Sequence, residues 1–155
     1  MSDKFTTPNW VKKYGGERGI RRLRYEMEKL ATTYPHFRFG ICDGDTLFID
    51  GYIITAQKSA YRLRVYYPED YPNKPPIPVA LDPDVIEWYN QGNIKHTRGE
   101  YRDGEIHLCV MDPNDTVGQG WNPSLSAITM IHFAVKWFHA VEIWRATKIW
   151  PMPEK

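Results

Sequence analysis

The chain has 155 residues, 42% hydrophobic and 14% aromatic, enough to bury a core and too apolar for wholesale disorder. Lys and Arg number 20 against 19 Asp and Glu, a formal net charge of +1, which supplies no general attraction to a phosphate backbone and argues against nucleic acid as the main partner. Two cysteines, Cys42 and Cys109, show neither paired metal spacing nor a disulfide framework, and Met1 to Trp10 is too polar for a signal peptide, so a reducing cytoplasm is predicted.

Glu17 to Thr33 reads as a helix, with Ile20, Leu23, Met27, Leu30 and Ala31 forming one apolar stripe. Arg21, Arg22, Arg24, Glu26, Glu28 and Lys29 take the remaining faces; Gly15-Gly16 precedes the helix and Tyr34-Pro35 ends it. The cationic excess of the chain gathers here, at Lys12, Lys13, Arg18, Arg21, Arg22 and Arg24. Strand-like runs follow at His36 to Cys42 and Thr46 to Ala56, parted by the turn Asp43-Gly44-Asp45. Cys42 falls in a predicted core strand and reads as structural. Tyr61, Leu63, Val65 and Tyr67 alternate with Arg62, Arg64 and Tyr66, a half-buried antiparallel strand. Prolines 68, 72, 75, 76 and 78 then predict a rigid turn leading into a short edge strand, Ile77 to Leu81.

Residues 82 to 105 are irregular and polar, with one helical turn expected at Val85 to Tyr89; ordered loops of that length tend to be functional. Ile106 to Val110 predicts a short strand carrying Cys109 toward a polar loop of Asp112, Pro113, Asn114, Asp115 and Gly118. That is a place to present a nucleophile, although a lone Cys is also commonly a small buried apolar residue. Asn122 and Pro123 then read as the cap and first residue of a long helix reaching about Lys148. Its core stripe is Leu125, Ile128, Ile131, Val135, Phe138 and Val141, thickened by Trp137, Trp144 and Trp150. His132, Lys136, His139, Glu142, Arg145 and Lys148 interrupt it, so a helix packed on protein is expected, and no membrane span. The order of elements predicts an α+β layer, helices against an antiparallel sheet.

Three segments resemble the ubiquitin-conjugating enzymes: Tyr61 to Pro76, with its Tyr-Pro-x-x-Pro-Pro turn; Gly104-Glu105-Ile106-His107-Leu108-Cys109; and Trp121-Asn122-Pro123. Trp137-Phe138, Val141-Glu142-Ile143-Trp144 and Thr147-Lys148-Ile149-Trp150-Pro151 are similar to the ending of the prokaryotic branch found in bacterial anti-phage conjugation systems, with Lys148 where that branch has Gly. The eukaryotic His-Pro-Asn signature has no counterpart. Its His would fall at Gly99, and the nearest candidate is His96; the two further C-terminal helices of many eukaryotic members are also missing.

The resemblance implies an α+β ubiquitin-conjugating-like fold: an N-terminal helix, a four-stranded antiparallel meander, a long irregular active-site segment and a long C-terminal helix, as a single catalytic domain over residues 1–155. It implies that Cys109 accepts a ubiquitin-like protein, or another protein's C-terminus, as a thioester and passes it to a lysine amine. The implied partners are an E1-like activating enzyme, a ubiquitin-like modifier or a cyclic-oligonucleotide synthase, and a target-protein lysine, with the basic first helix helping to dock the activating enzyme. No metal or organic cofactor is implied, and the setting would be antiviral defence. An acyl-transfer site also needs an oxyanion donor and a group that handles the amine's proton. His107 shares a strand face with Cys109; His96, Asp112, Asn114 and Asp115 are the other nearby polar groups, though Asp-Pro-Asn-Asp is also an ordinary turn. A zinc site from His96, His107 and Cys109 is conceivable but lacks the usual paired-Cys spacing. The rival reading is a non-catalytic ubiquitin-like-protein-binding module on the same fold. A small cysteine hydrolase, built on a Cys–His pair, is a third.

Overall fold

The computed structural model describes residues 6–110 and 120–152. A short helix α1 (Asn9–Lys13) leads into α2 (Glu17–Thr33). Strands β1 (Arg38–Cys42), β2 (Thr46–Ile54), β3 (Ala60–Tyr66) and β4 (Ile77–Ala80) form an antiparallel meander. Helix α3 (Pro83–Asn90), strands β5 (Thr97–Glu100) and β6 (Ile106–Leu108), and the long helix α4 (Ala127–Thr147) complete the chain. The six strands form one sheet in the order β1-β2-β3-β4-β6-β5, and α4 packs on β3 and β4. The α+β architecture, the four-stranded meander and the two main helices are as the sequence predicts. The expected irregular segment is only partly so, because it contains α3 and the antiparallel pair β5–β6.

Alternation assigns the two faces of the sheet. Leu47, Ile49 and Ile53 of β2, Leu63 and Val65 of β3, Ala80 of β4 and Ile106 and Leu108 of β6 are buried. Tyr61 stacks on Phe138 of α4, ring centroids 4.9 Å apart. On the other face Asp50 bridges two arginines, accepting from Arg62 Nε at 2.9 Å and Arg64 Nε at 2.7 Å. The β5–β6 turn folds over this face: Tyr66 donates its hydroxyl to Glu105 at 2.9 Å, and the Arg102 guanidinium lies 5.1 Å from the Tyr66 ring centre.

Strand β4 is central rather than an edge, lying between β3 and β6. A proline is tolerated there because the β4–β6 ladder covers only Val79↔His107 and Ala80↔Ile106 and stops short of Pro78, so no ladder bond to β6 is asked of the missing N–H.

Helix α2 has the expected bounds but a different buried face. Ile20 and Met27 are 45% and 48% exposed, whereas Gly19, Leu23, Glu26 and Leu30 are buried. Gly19 sets the face in part, since a Cβ there would stand 2.1 Å from the Val11 carbonyl oxygen of α1. The stronger determinant is Glu26, which is 1% exposed. Its carboxylate accepts from Arg22 Nε at 3.1 Å, Tyr67 OH at 3.1 Å, Tyr71 OH at 2.5 Å and the amide of Ala127, the first residue of α4, at 3.0 Å. Arg22 reaches on to the carbonyls of Pro123, at 2.5 Å, and Leu125. This arginine therefore faces inward, unlike the exposed cations around it.

Helix α4 starts at Ala127, four residues later than the expected start at Pro123. Asn122 instead closes a turn, its side-chain oxygen accepting from the Ser124 amide at 2.9 Å. Ser126 is the cap, its amide donating to Thr129 Oγ1 at 3.4 Å. The helix ends at Lys148 in the left-handed region, φ 64°, where its amide reaches the Trp144 carbonyl at 2.6 Å.

Two stability predictions arise here. Glu26→Gln should lower stability by about 3 kcal/mol, because it leaves the Arg22 charge uncompensated in a half-buried site; the shift in urea midpoint measures it. Lys148→Gly should raise stability by about 1 kcal/mol by relieving the left-handed backbone, read as a rise of about 2–4 °C in melting temperature.

Candidate functional site

Cys109 lies one residue past β6, half-buried. Its amide donates to the His96 carbonyl at 2.8 Å, so backbone pairing continues onto the cysteine after the ladder ends. The same carbonyl accepts from the indole of Trp137 at 3.1 Å, as does the Lys95 carbonyl at 3.1 Å. His96 turns the chain with φ 56°, and its ring stacks on Trp150 at 6.4 Å and 21°. Trp150 meets Trp137 edge-on at 5.9 Å. The tryptophans near the C-terminus thus hold the His96 turn, and that turn holds the Cys109 backbone. His96 enters this arrangement through its carbonyl and its ring face.

His107 is half-buried on the strand face opposite Ile106 and Leu108, with Tyr101 edge-on to its ring at 5.8 Å. Burial, with a smaller push from the Arg98 cation, lowers its pKa from 6.5 to about 4. The imidazole is therefore neutral at physiological pH and presents one N–H donor and one acceptor. A group titrating that low is a weak base toward an ammonium but a competent hydrogen-bond donor.

The residues around the next helix form a second joint. Trp121 donates its indole N–H to the Pro72 carbonyl at 2.7 Å, and its ring lies 5.8 Å from that of Tyr71. The Tyr-Pro turn and the Trp-Asn-Pro segment, 49 residues apart, are thus one contact. Beside them, a cleft of about 190 Å³ opens where β4 and β6 part, lined by Pro75 to Pro78, Arg98, His107, Leu108, Val110 and Met130.

Of the residues singled out in the sequence, the structure brings together Cys109, the His96 backbone and the strand carrying His107. Asp112, Asn114 and Asp115 lie outside the described residues. The position of a His-Pro-Asn signature is taken by β5: Gly99 has φ 88°, and the pairing with β6 slips between Thr97 and Glu100. Cys42 ends an edge strand rather than sitting in a core one, with Arg102 Nη1 3.0 Å from its sulfur. Among the described residues no three His, Cys, Asp or Glu side chains group as a metal ion would require, and no helix is long and apolar enough to cross a membrane. Sequence reasoning missed the roles of Glu26 and Arg22, which charge alone assigned to solvent, and the clamp formed by Trp137 and Trp150, whose spacing signalled only core.

The family model described as "Type II CBASS E2 protein" matches residues 26–155. The chain belongs to that family. It is also similar to the dual E2 ubiquitin-conjugating enzyme/E3 ubiquitin-protein ligase BIRC6 of Homo sapiens and of Mus musculus, 25% identical over 127 residues in each case. Those matches cover 75% of this chain but 2% of the relatives' length. A crystal structure of a ubiquitin-conjugating enzyme E2 from Plasmodium falciparum is 24% identical, covering 76% of this chain and 95% of that one, with a TM-score of 0.43. The family-model match bears out the resemblance to an E2-like family drawn from those short segments. Within the matched residues lie Cys109, both joints and the complete sheet.

The depressed titration of His107 makes a stability prediction with a definite sign. Because the unfolded chain takes up this proton first, stability should be complete above pH 6.5 and fall as the pH drops from 6.5 toward about 4. His107→Asn should flatten that limb of a pH series of urea midpoints.

Proposed function

We propose that residues 1–155 act as one ubiquitin-conjugating-like catalytic domain in which Cys109 carries a ubiquitin-like protein, or another protein's C-terminus, as a thioester and delivers it to a lysine amine. The observation that carries this reading is a cysteine just past the end of β6, in a chain of the Type II CBASS E2 family, with its backbone amide pinned by the His96 carbonyl. The Cys109 thiolate attacks the C-terminal carbonyl activated on an E1-like enzyme. A carbon–sulfur bond forms to Cys109, and the bond to the activating enzyme's leaving group breaks. The lysine Nζ then attacks the thioester carbonyl, an isopeptide bond forms, and Cys109 departs as thiolate.

The intermediate in each step is an oxyanion, and a fixed donor beside it lowers the barrier. His107 is our candidate for that donor, since its neutral imidazole offers an N–H without having to gain a proton. His96 acts by fixing the Cys109 backbone, and Asp112 and Asn114 remain candidates for positioning the amine. The exposed cations Lys12, Lys13, Arg18, Arg21 and Arg24 form the surface for the activating enzyme. The acyl group would be a ubiquitin-like modifier or a cyclic-oligonucleotide synthase, the setting cytoplasmic antiviral defence, consistent with the family description. The absent His-Pro-Asn signature favours the second reading, a binding module that never forms a thioester.

Intact mass and non-reducing gels decide between these readings after incubation with ATP, the cognate activating enzyme and the candidate modifier. Wild type and Cys42→Ala should gain a thiol-labile adduct, and Cys109→Ala none. Cys109→Ser should retain an ester that survives thiol. His107→Ala should slow discharge to lysine by about 10²–10³-fold, the usual loss for one oxyanion donor, with His107→Asn restoring most of it. An uncharged wild type beside a charged activating enzyme would establish the binding module instead.

A further inference from the structure

One carbonyl connects the candidate nucleophile to the long helix. The His96 oxygen accepts from the Cys109 amide at 2.8 Å and from the Trp137 indole N–H at 3.1 Å, so both of its lone pairs are engaged. Trp137 lies in the middle of α4, 1% exposed, with the Phe138 ring edge-on to it at 5.2 Å. Its N–H also reaches the Lys95 carbonyl at 3.1 Å. Two successive carbonyls of the turn are thereby oriented from a helix residue 41 places further along the chain. His96 has φ 56°, a left-handed conformation that a non-glycine residue seldom holds unaided. The β5–β6 ladder ends at Thr97↔Leu108, so beyond it the cysteine is held through this carbonyl.

A second support comes from beyond the helix. Lys148, at φ 64°, turns the chain off α4. Thr147 Oγ1 fixes that exit, donating to the Ile143 carbonyl at 2.8 Å and accepting from the Ile149 amide at 3.1 Å. The reversal lays Trp150 against Trp137 at 5.9 Å and against the His96 ring at 6.4 Å. The buried Nε1 of Trp150 meets no hydrogen-bond acceptor among the described residues, and an unpaired buried donor is unfavourable. What this position contributes is therefore the ring face and not the N–H. Acyl transfer is sensitive to such support, because the sulfur must approach the acyl carbon along a defined direction and the oxyanion must form beside a fixed donor.

We propose that Trp137 and Trp150 are positioning residues for acyl transfer: the Trp137 N–H and the Trp150 ring face lock the His96 turn and so fix the direction in which Cys109 presents its sulfur. Both act through the His96 backbone rather than on the reacting atoms. The inference rests on the thioester reading of Cys109.

The test compares two reactions of the same thiolate. In the first, a peptide thioester of 2-mercaptoethanesulfonate ending in glycine acylates Cys109: the sulfur attacks the thioester carbonyl, a carbon–sulfur bond forms, and mercaptoethanesulfonate leaves as thiolate. In the second, iodoacetamide alkylates the sulfur and iodide leaves, with no oxyanion on the path. Both reactions consume thiolate, so a change in its population cancels in the ratio of their rates. Intact mass with peptide mapping follows Cys109, with Cys109→Ala as the blank and alkylation of Cys42 as the marker of an opened fold. Trp150→Ala should lower the acylation-to-alkylation ratio about tenfold, less than the roughly 10²-fold that a 1 Å misplacement can cost. Trp150→Phe, which keeps a ring face and gives up only the unpaired N–H, should restore the wild-type ratio. The same exchange at the other position, Trp137→Phe, should lower the ratio as Trp150→Ala does, because there the N–H is the tether. An unchanged ratio in Trp150→Ala, whether or not both rates fall, would overturn the proposal and leave the thioester reading intact. A loss in Trp150→Phe as large as in Trp150→Ala would overturn it too. A wild-type Cys109 that is alkylated but never acylated would overturn both readings. If Trp137→Phe opens the fold, the two Trp150 variants decide alone.

Discussion

The constraint on which the rest of this structure depends is the need of one buried carboxylate, Glu26, for partners. At 1% exposure an ionised carboxyl loses its water, and its oxygens must be met by donors or the folded state carries a large desolvation penalty. The donors come from three separate parts of the chain. Arg22 lies one turn back on the same helix, Tyr67 and Tyr71 belong to the proline-rich turn, and the Ala127 amide opens α4. The last of these places a negative charge at the start of a 21-residue helix, where unpaired amides and the helix dipole favour it. A side chain of α2 therefore caps α4. Burial, together with the neighbouring carboxylate, holds the Tyr67 and Tyr71 hydroxyls well above their ordinary pKa, so they remain donors.

This junction explains why segments far apart in the sequence share a signature. Tyr71 donates to Glu26 and packs against Trp121, Trp121 holds the Pro72 carbonyl, and Arg22 holds the carbonyls of Pro123 and Leu125. Changing any one of these groups would leave a buried donor or acceptor unpaired, so each is required by the others. The Tyr-Pro turn and the Trp-Asn-Pro segment are the two halves of a fastening rather than two independent motifs. The segment carrying Cys109 is tied at its other end by the Trp137–Trp150–His96 stack.

Much of the scaffold could be read from periodicity. The bounds of α2, the first three strands and the C-terminal end of α4 follow from spacing, because those elements bury apolar side chains at regular intervals. The failures share one physical cause, which is pairing over long range. Glu26 and Arg22 look like solvent residues on a helical wheel, and only partners 41 and more residues away make them interior. Strand β5 has the polar sequence Thr-Arg-Gly-Glu and exists because β6 offers it hydrogen bonds; its own side chains contain no strand signal. The central position of β4 was hidden because Pro78 argues for an edge, and the ladder stops just before the residue that could not donate. At the site, Cys109 could be singled out from its neighbours, whereas the pinning of its amide by His96 depends on a left-handed turn that residue type does not announce.

The missing His-Pro-Asn signature has the same explanation as β5. In this chain the stretch that would carry the signature is spent on pairing with β6, with Gly99 at φ 88° taking up the slip in register. On the proposed thioester reading the donor would come from another strand position, and His107 is the polar residue of β6 two places before the cysteine. Burial and the nearby Arg98 cation keep it neutral, with Tyr101 edge-on to its ring. An imidazole with one N–H and no charge is close in function to the amide it would replace. Moving the donor from a loop to a strand costs no further ordering, because the strand is already held by the sheet.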